Sequence, residues 1–144
     1  MSKQGNRGMK PTEKTSDTGV IEKILTMEQA CFDDPWKSVS LNDDSVYIVE
    51  DYGYAIGTPC ELYRIAVLPE HRKKGLASSL LKRFLEKCNG EVFLEVAAKN
   101  ICAVELYKKH GFTEIARRKG YYQDDDAIVM VCENTIAPRA STQT

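Results

Sequence analysis

Between Glu61 and Val96 the chain reads strand, basic glycine turn, helix, strand, and this run constrains the fold more than any other feature. ELYRIAVL is apolar at Leu62, Ile65, Val67 and Leu68, and Pro69, which cannot donate to a ladder, stops it. HRKKG follows as a turn. Leu80, Leu81, Phe84, Leu85 and Cys88 then recur at helical spacing, which predicts a helix from about Leu76 to Cys88 with that stripe as its core face. Asn89-Gly90 ends the helix, and VFLEV reads as a buried strand of the kind that parallel pairing requires. Two strands joined through a helix form a crossover with a fixed hand.

The flanking segments add antiparallel elements. A helix is predicted from about Val20 to Cys31, with Ile21, Ile24, Leu25, Glu28 and Cys31 or Phe32 on one mostly apolar face, cap candidates at Ser16 to Gly19, and Pro35-Trp36 as its end. SVYIVED and GYAIGT read as short strands joined by a tight turn at Tyr52-Gly53. After VFLEV, Asn100 can cap a short helix, ICAVELYKKH, which Gly111 terminates. FTEIARRK and AIVMVCE, separated by GYYQDDD, read as a long hairpin. The expected fold class is α+β: a central mixed sheet flanked by helices, in a single domain. Residues 1–17 lack hydrophobic periodicity and read as a disordered tail, 18–134 as the domain, and 135–144 as a second loose tail.

Composition removes several function classes. A formal net charge of -1 offers no global attraction to nucleic acid or an anionic membrane, so an anion must be bound by a local cluster. His71 to Lys74 is short and without interleaved aromatics, which argues against a nucleic-acid surface. No apolar run approaches the roughly 18–20 residues that span a bilayer, and MSKQGNRGMKPTEKT carries no apolar stretch of a secretory signal. A cytoplasmic protein is expected. The five cysteines, Cys31, Cys60, Cys88, Cys102 and Cys132, are single and scattered, so reduced thiols are expected and no metal site. Two histidines, His71 and His110, give a histidine-driven triad little to work with.

Three features carry candidate chemistry. Arg72-Lys73-Lys74-Gly75-Leu76-Ala77 opens a helix, where unpaired N–H groups and the dipole favour an anion and Gly75 permits close backbone approach. It reads either as a phosphate site or as a solvated charged turn; it is neither GxxxxGK[ST] nor GxGxxG. Glu95 stands in the apolar VFLEV: buried, its carboxyl becomes a base near neutrality; on an edge, it faces solvent. Tyr107 is either a core aromatic or a phenol that protonates a departing thiolate, and Asn100 either a cap alone or also a ligand contact. Cys102 reads as packing, since a nucleophile needs a base beside it.

Together these pieces resemble the GNAT superfamily of acetyl-CoA-dependent N-acetyltransferases, over about Val20 to Glu133. Arg72, Gly75 and Ala77 match that family's pyrophosphate signature after a strand, and LEVAAKNICAVELYKKHGF is similar to its second coenzyme segment. Within the superfamily, RIAVLPEHRKKGLASSLL, FLEV and ARRKGYYQDDDAIVM are most like the RimI type, the ribosomal-protein-alanine N-acetyltransferases. The resemblance implies Glu95 as general base and Tyr107 as general acid. It implies Ile65, Ala66 and Val67 on the pantetheine and acetyl carbonyl, and Asn100 on the pantetheine arm. Arg72, Lys73, Lys74, Gly75, Leu76, Ala77 and Ser78 fall to the pyrophosphate, and Arg118, Tyr121 and Tyr122 to the peptide side. Acetyl-CoA is the implied cosubstrate, with no metal. The implied acceptor is a protein N-terminus, ribosomal and alanine-headed, reached by direct attack in a ternary complex by a monomer or weak dimer.

The chain departs from the family in three places. No first strand precedes Val20, the stretch from Trp36 to Glu61 is short, and Ala97 stands where the RimI type carries arginine. A lysine or small-molecule amine as acceptor, and a coenzyme-binding module without turnover, are the competing readings.

Overall fold

The computed structural model describes the backbone of residues 11–134 and the side chains of residues 18–133. The elements are α1 (Pro11–Cys31), β1 (Val46–Val49), β2 (Gly53–Thr58), β3 (Glu61–Val67), α2 (Leu76–Glu86), β4 (Gly90–Ala97), α3 (Ile101–Lys109), β5 (Thr113–Tyr122) and β6 (Asp125–Asn134), with a 3-10 turn at Pro69–His71. One six-stranded sheet takes the order β1-β2-β3-β4-β6-β5. Only β3 and β4 run parallel. The expected mixed sheet and crossover are present.

Helix α1 starts at Pro11, well before the expected Val20. Proline suits a first helical position, and Gly19 is carried inside the helix at a propensity cost of about 1 kcal/mol against alanine. The expected cap candidates at Ser16 to Gly19 are therefore interior residues. Of the expected tails, residues 1–10 and 135–144 lie outside the described residues. The first strand in the described chain is β1, so the expectation of no strand before Val20 holds from Pro11 onward.

The sheet separates two cores. On one face Ile24 and Met27 of α1 pack with Tyr54, Ile56 and Ala66, joined by Phe32, Trp36, Val39 and Leu41 from the segment that follows α1. On the other, Leu80, Leu81, Phe84 and Leu85 of α2 and Val104 and Tyr107 of α3 pack with Ala55, Leu62, Val67, Val92, Leu94 and Val96. Strand β4 is covered on this second face alone. Val92, Leu94 and Val96 are buried while Glu91, Phe93 and Glu95 are exposed, which corrects the reading of VFLEV as buried on both sides. Helix α1 packs over β1 and β3 and leaves that face of β4 open.

Close backbone approaches shape the β1–β2–β3 meander. The β1–β2 turn is closed by Glu50 N–H donating to Gly53 O at 2.8 Å, so Asp51-Tyr52 forms the bend, one residue earlier than expected. Gly53 already belongs to β2, where a Cβ would stand 2.7 Å from Ala66 O. Between β2 and β3 the register slips, with Ile56 opposite Arg64 and Gly57 opposite Leu62. Tyr63 is the extra residue of this bulge, so Tyr63 and the neighbouring Arg64 both turn toward the α1 face. The β5–β6 hairpin is longer than predicted, running through Tyr122 and Asp125. Where its register shifts, the Asp126 carboxylate accepts from Gly120 N–H at 2.9 Å and stands in for the ladder.

Candidate active site

Strands β3 and β4 pair only at Glu61 and Phe93, where Phe93 N–H donates to Cys60 O at 2.9 Å. Beyond that point they run on without pairing, and the sheet opens between their carboxyl ends. Such an opening is where ligands enter sheets of this kind. Leu68 N–H donates to Tyr52 O at 2.8 Å, and Gly53 stands opposite Val67. Antiparallel pairs alternate, so Ala66 directs its backbone groups to β2 while Ile65 and Val67 direct theirs into the opening. Of the three backbone positions expected at the coenzyme, two face the gap.

The loop from Leu68 to α2 ends at that opening. Lys73 (φ 65) and Gly75 (φ 85) both adopt left-handed backbone, a conformation that gathers N–H groups into a concave nest. Gly75 is the N-cap of α2 and supplies no side-chain cap, so the N–H groups of the first turn point outward unclaimed by a capping side chain. Nothing lies within 4 Å of where a Gly75 Cβ would be. The glycine serves φ and leaves the approach to the helix start open, with no internal packing at stake. Arg72 turns back, its Nε donating to Val67 O at 2.8 Å, and His71 stacks on Tyr52 with ring centroids 3.6 Å apart. Arg72 thus braces the loop through Nε, and Arg72, Lys73 and Lys74 are all exposed. Ser78 Oγ lies 2.5 Å from His110 Nε2, which ties the first turn of α2 to the end of α3. Burial, with Lys109 and Lys82 nearby, lowers the basicity of that imidazole.

Glu95 lies on the open face of β4, beyond the point where β3 leaves it. Its Oε2 forms an ion pair with Arg118 Nε at 3.1 Å, a contact that reaches across β6 from β5. Arg118 in turn covers the Tyr121 ring at 5.2 Å, and Tyr121 meets Tyr122 edge-on at 5.3 Å. Burial, followed by the negative charge of Glu95, raises the Tyr122 phenol above its ordinary value. Glu95, Arg118, Tyr121 and Tyr122 therefore form one cluster. Of the two sequence readings of Glu95, solvent-facing is nearer the structure, though the strand is central and the partner is an arginine.

Tyr107 occupies the opposite face, 7% exposed and tilted against Phe112. Burial pushes its phenol up to about 12. Glu95 and Tyr107 thus lie on opposite faces of the sheet, one open and the other covered by α2 and α3. Asn100 caps α3, its Oδ1 accepting from Ala103 N–H at 3.3 Å, which leaves its NH2 as the group able to donate to a ligand. All five cysteines are free thiols. Among the described residues, no three or more His, Cys, Asp or Glu side chains converge as a metal site, and no helix is long and apolar enough to cross a membrane.

The sequence reading missed a second cluster behind the open face. Glu28, fully buried on α1, accepts from Trp36 N–H at 2.7 Å, from Arg64 Nη1 at 2.6 Å and from the Tyr54 hydroxyl. One charged residue of each sign at core-facing positions, Glu28 in an apolar helix stripe and Arg64 inside ELYRIAVL, was the available signal.

A family model described as "Acetyltransferase (GNAT) family" matches residues 22–112. An N-alpha-acetyltransferase of Saccharolobus solfataricus is 40% identical over 72 residues, covering 46% of this chain and 43% of its own. The ribosomal protein bS18-alanine N-acetyltransferase of Escherichia coli is 35% identical over 77 residues, 48% of this chain and 52% of its own. The chain thus spans about half the length of these curated relatives. The crystal structure of the ribosomal-protein-S18-alanine N-acetyltransferase from Escherichia coli superposes with a TM-score of 0.69 at 25% identity, over 81% of this chain and 88% of that one.

Proposed function

The chain belongs to the acetyltransferase (GNAT) family, and on that premise we propose that it transfers acetyl from acetyl-coenzyme A to the α-amine of a protein N-terminus, an alanine of a ribosomal protein being the leading acceptor. The observation that carries this reading is the parting of β3 from β4 beside the uncapped start of α2. A pantetheine arm laid in that gap meets the outward groups of Ile65 and Val67. Its pyrophosphate then falls on the nest from Lys73 to Ser78, held by main-chain N–H groups and the two lysines.

An ammonium is no nucleophile, so Glu95 accepts its proton through the oxygen that Arg118 does not hold. The freed amine attacks the thioester carbonyl, and main-chain N–H groups at the edge of β3 receive the charge that grows on oxygen. As the carbon–sulfur bond breaks, Tyr107 gives its proton to the departing thiolate. A phenol at about 12 stays protonated across the physiological range, as this role needs. The nitrogen sheds its second proton as the amide forms, solvent carries a proton back to the Tyr107 phenolate, and no covalent enzyme intermediate is needed.

A groove of about 490 Å³ on the α1 face supports a peptide over a closed-pocket amine. Trp36, Val39, Ile56 and Tyr63 line it, and exposed Asn42 and Asp44 are among its polar residues. Counted from the Glu61–Phe93 pair, Tyr63 on β3 and Glu95 on β4 hold corresponding positions across the opening. The deciding experiment incubates the protein with acetyl-CoA and peptides whose N-termini are free or blocked, read by mass spectrometry. A mass gain of one acetyl on free N-termini alone is expected; acetylation only of lysine side chains or of small amines would replace the reading.

Two substitutions test the parts. Gly75→Val forces a β-branched side chain into left-handed backbone and fills the approach, so coenzyme affinity by calorimetry should fall by about 10²-fold or more. Tyr107→Phe keeps the packing against Phe112 and removes the acid. Turnover should drop by about 10²-fold with coenzyme affinity unchanged, and a wild-type rate would leave Tyr107 a core aromatic.

A further inference from the structure

The buried carboxylate of Glu28 takes no part in the proposed proton transfers, yet it collects three donors from three separate segments. Trp36 N–H comes from the irregular stretch after α1, the Tyr54 hydroxyl from β2, and Arg64 Nη1 from β3. Burial and the bond to Glu28 raise the Tyr54 phenol far above its ordinary value, so it stays a donor. The Arg64 guanidinium is held flat between two rings, 4.1 Å from the centre of Phe32 and 4.4 Å from that of Trp36. Those rings lie on the stretch that supplies one wall of the groove: Trp36, Ser38, Val39 and Ser40 line it. That stretch has no helix or strand of its own between Cys31 and Val46. Its position follows from what grips it, and the grip is Glu28 acting directly on Trp36 and through Arg64 on both rings. Because Tyr63 and Arg64 share a face across the bulge, the same bulge sets the opposite wall at Tyr63. The Arg64 charge is also felt at the Tyr122 phenol, where it works against the upward push of burial and Glu95.

We propose that Glu28 is a positioning residue for the acceptor. Through Arg64 and the Trp36 amide it fixes the 32–41 segment as the wall of the groove beside Glu95, and so sets how tightly an acceptor peptide is held without touching it. This rests on the proposed transfer to a peptide amine. The clamp acts through side chains on the α1 face, whereas the coenzyme is met by main-chain groups of β3 and of the nest at Gly75, so coenzyme binding and the chemical step are independent of it.

The test compares wild type with Glu28→Gln and Arg64→Lys. Glutamine keeps an acceptor for Trp36 and Tyr54 and loses the ion pair; lysine keeps the charge and loses the flat stack between the rings. The expected result is a rise in acceptor-peptide KM of about tenfold in both, with kcat and CoA affinity within about twofold of wild type. Trp36 is the sole tryptophan, so its emission reads the wall directly: a red shift and stronger acrylamide quenching should accompany the KM change while far-UV circular dichroism stays constant. An unchanged KM in an active wild-type background overturns the positioning role and leaves the transferase reading intact, as does a fall confined to kcat. If the wild type acetylates no peptide while binding CoA, the peptide reading fails and the acceptor role fails with it. A Glu28→Gln protein that does not fold shifts the decision to Arg64→Lys, whose KM then stands alone.

Discussion

Glu95→Gln should lower kcat by about 10²-fold near neutral pH, leave CoA affinity unchanged, and lose less at alkaline pH. The pH dependence is the discriminating part. An N-terminal amine has a pKa of about 8, so near pH 7 only about a tenth of it is free base, and the wild type draws on the ammonium majority through Glu95. The variant must wait for amine that solvent has already deprotonated. As pH rises through the amine's own pKa, that first proton no longer needs the enzyme, and the deficit should narrow by about tenfold by pH 9. What remains is the second proton, which leaves nitrogen as the new carbon–nitrogen bond forms. Tyr107, raised to about 12 by burial, stays protonated over that whole range, so loss of the acid does not blur the comparison. Glutamine keeps the size and an amide oxygen beside Arg118 Nε, which lies 3.1 Å from the Glu95 carboxylate across β6, and loses only the charge. A deficit that is flat from pH 6 to pH 9 would give Glu95 a structural part through Arg118, and no deficit would remove it from the mechanism.

The parts that were legible in the sequence are those in which one residue type answers one local demand. Gly75 and Asn100 announce helix starts because an open N-terminus requires either a permissive backbone or a capping oxygen, and both stand where they were read. The stripe from Leu80 to Leu85 faces the core because helical period alone decides it. What was not legible depends on which neighbour covers which face. VFLEV looks continuous in the sequence, yet Phe93 and Glu95 are exposed because α1 stops short of β4, a fact that no window on β4 contains. The β2–β3 bulge was invisible for a related reason: an extra residue at Tyr63 breaks no local preference, and only the register against Gly57 reveals it. The bond from Arg72 Nε to Val67 O was not legible either, because a motif gives a residue's place and not its partner in the fold. The Glu28 cluster joins residues 26 and 36 positions apart. A charge in an apolar stripe signals a partner somewhere; identifying Arg64 required the fold.

Glu28→Ala should be the most destabilising single change on the α1 face, at about 3–5 kcal/mol, because removing one member of a buried ion pair strands the other. Three groups lose their acceptor together. The Tyr54 hydroxyl, on a residue with no exposed surface, donates to Glu28 and loses that acceptor, and an unsatisfied buried hydroxyl costs about 1–3 kcal/mol. Trp36 N–H loses its bond, and Arg64, a quarter exposed, keeps only the two rings for company. Against a domain stability of about 5–15 kcal/mol, such a loss empties much of the native state at body temperature. Urea unfolding should show the midpoint falling with the slope unchanged, which marks a change in stability with no change in compactness. The double variant Glu28→Leu with Arg64→Met separates charge from packing, since apolar replacement of both partners removes the stranded guanidinium and should recover a large share of the loss. If the single variant costs less than about 1 kcal/mol, water already reaches the pair, as it reaches exposed ones. The clamp would then hold no wall, because a contact too weak to stabilise the fold is too weak to hold an irregular segment against a moving peptide.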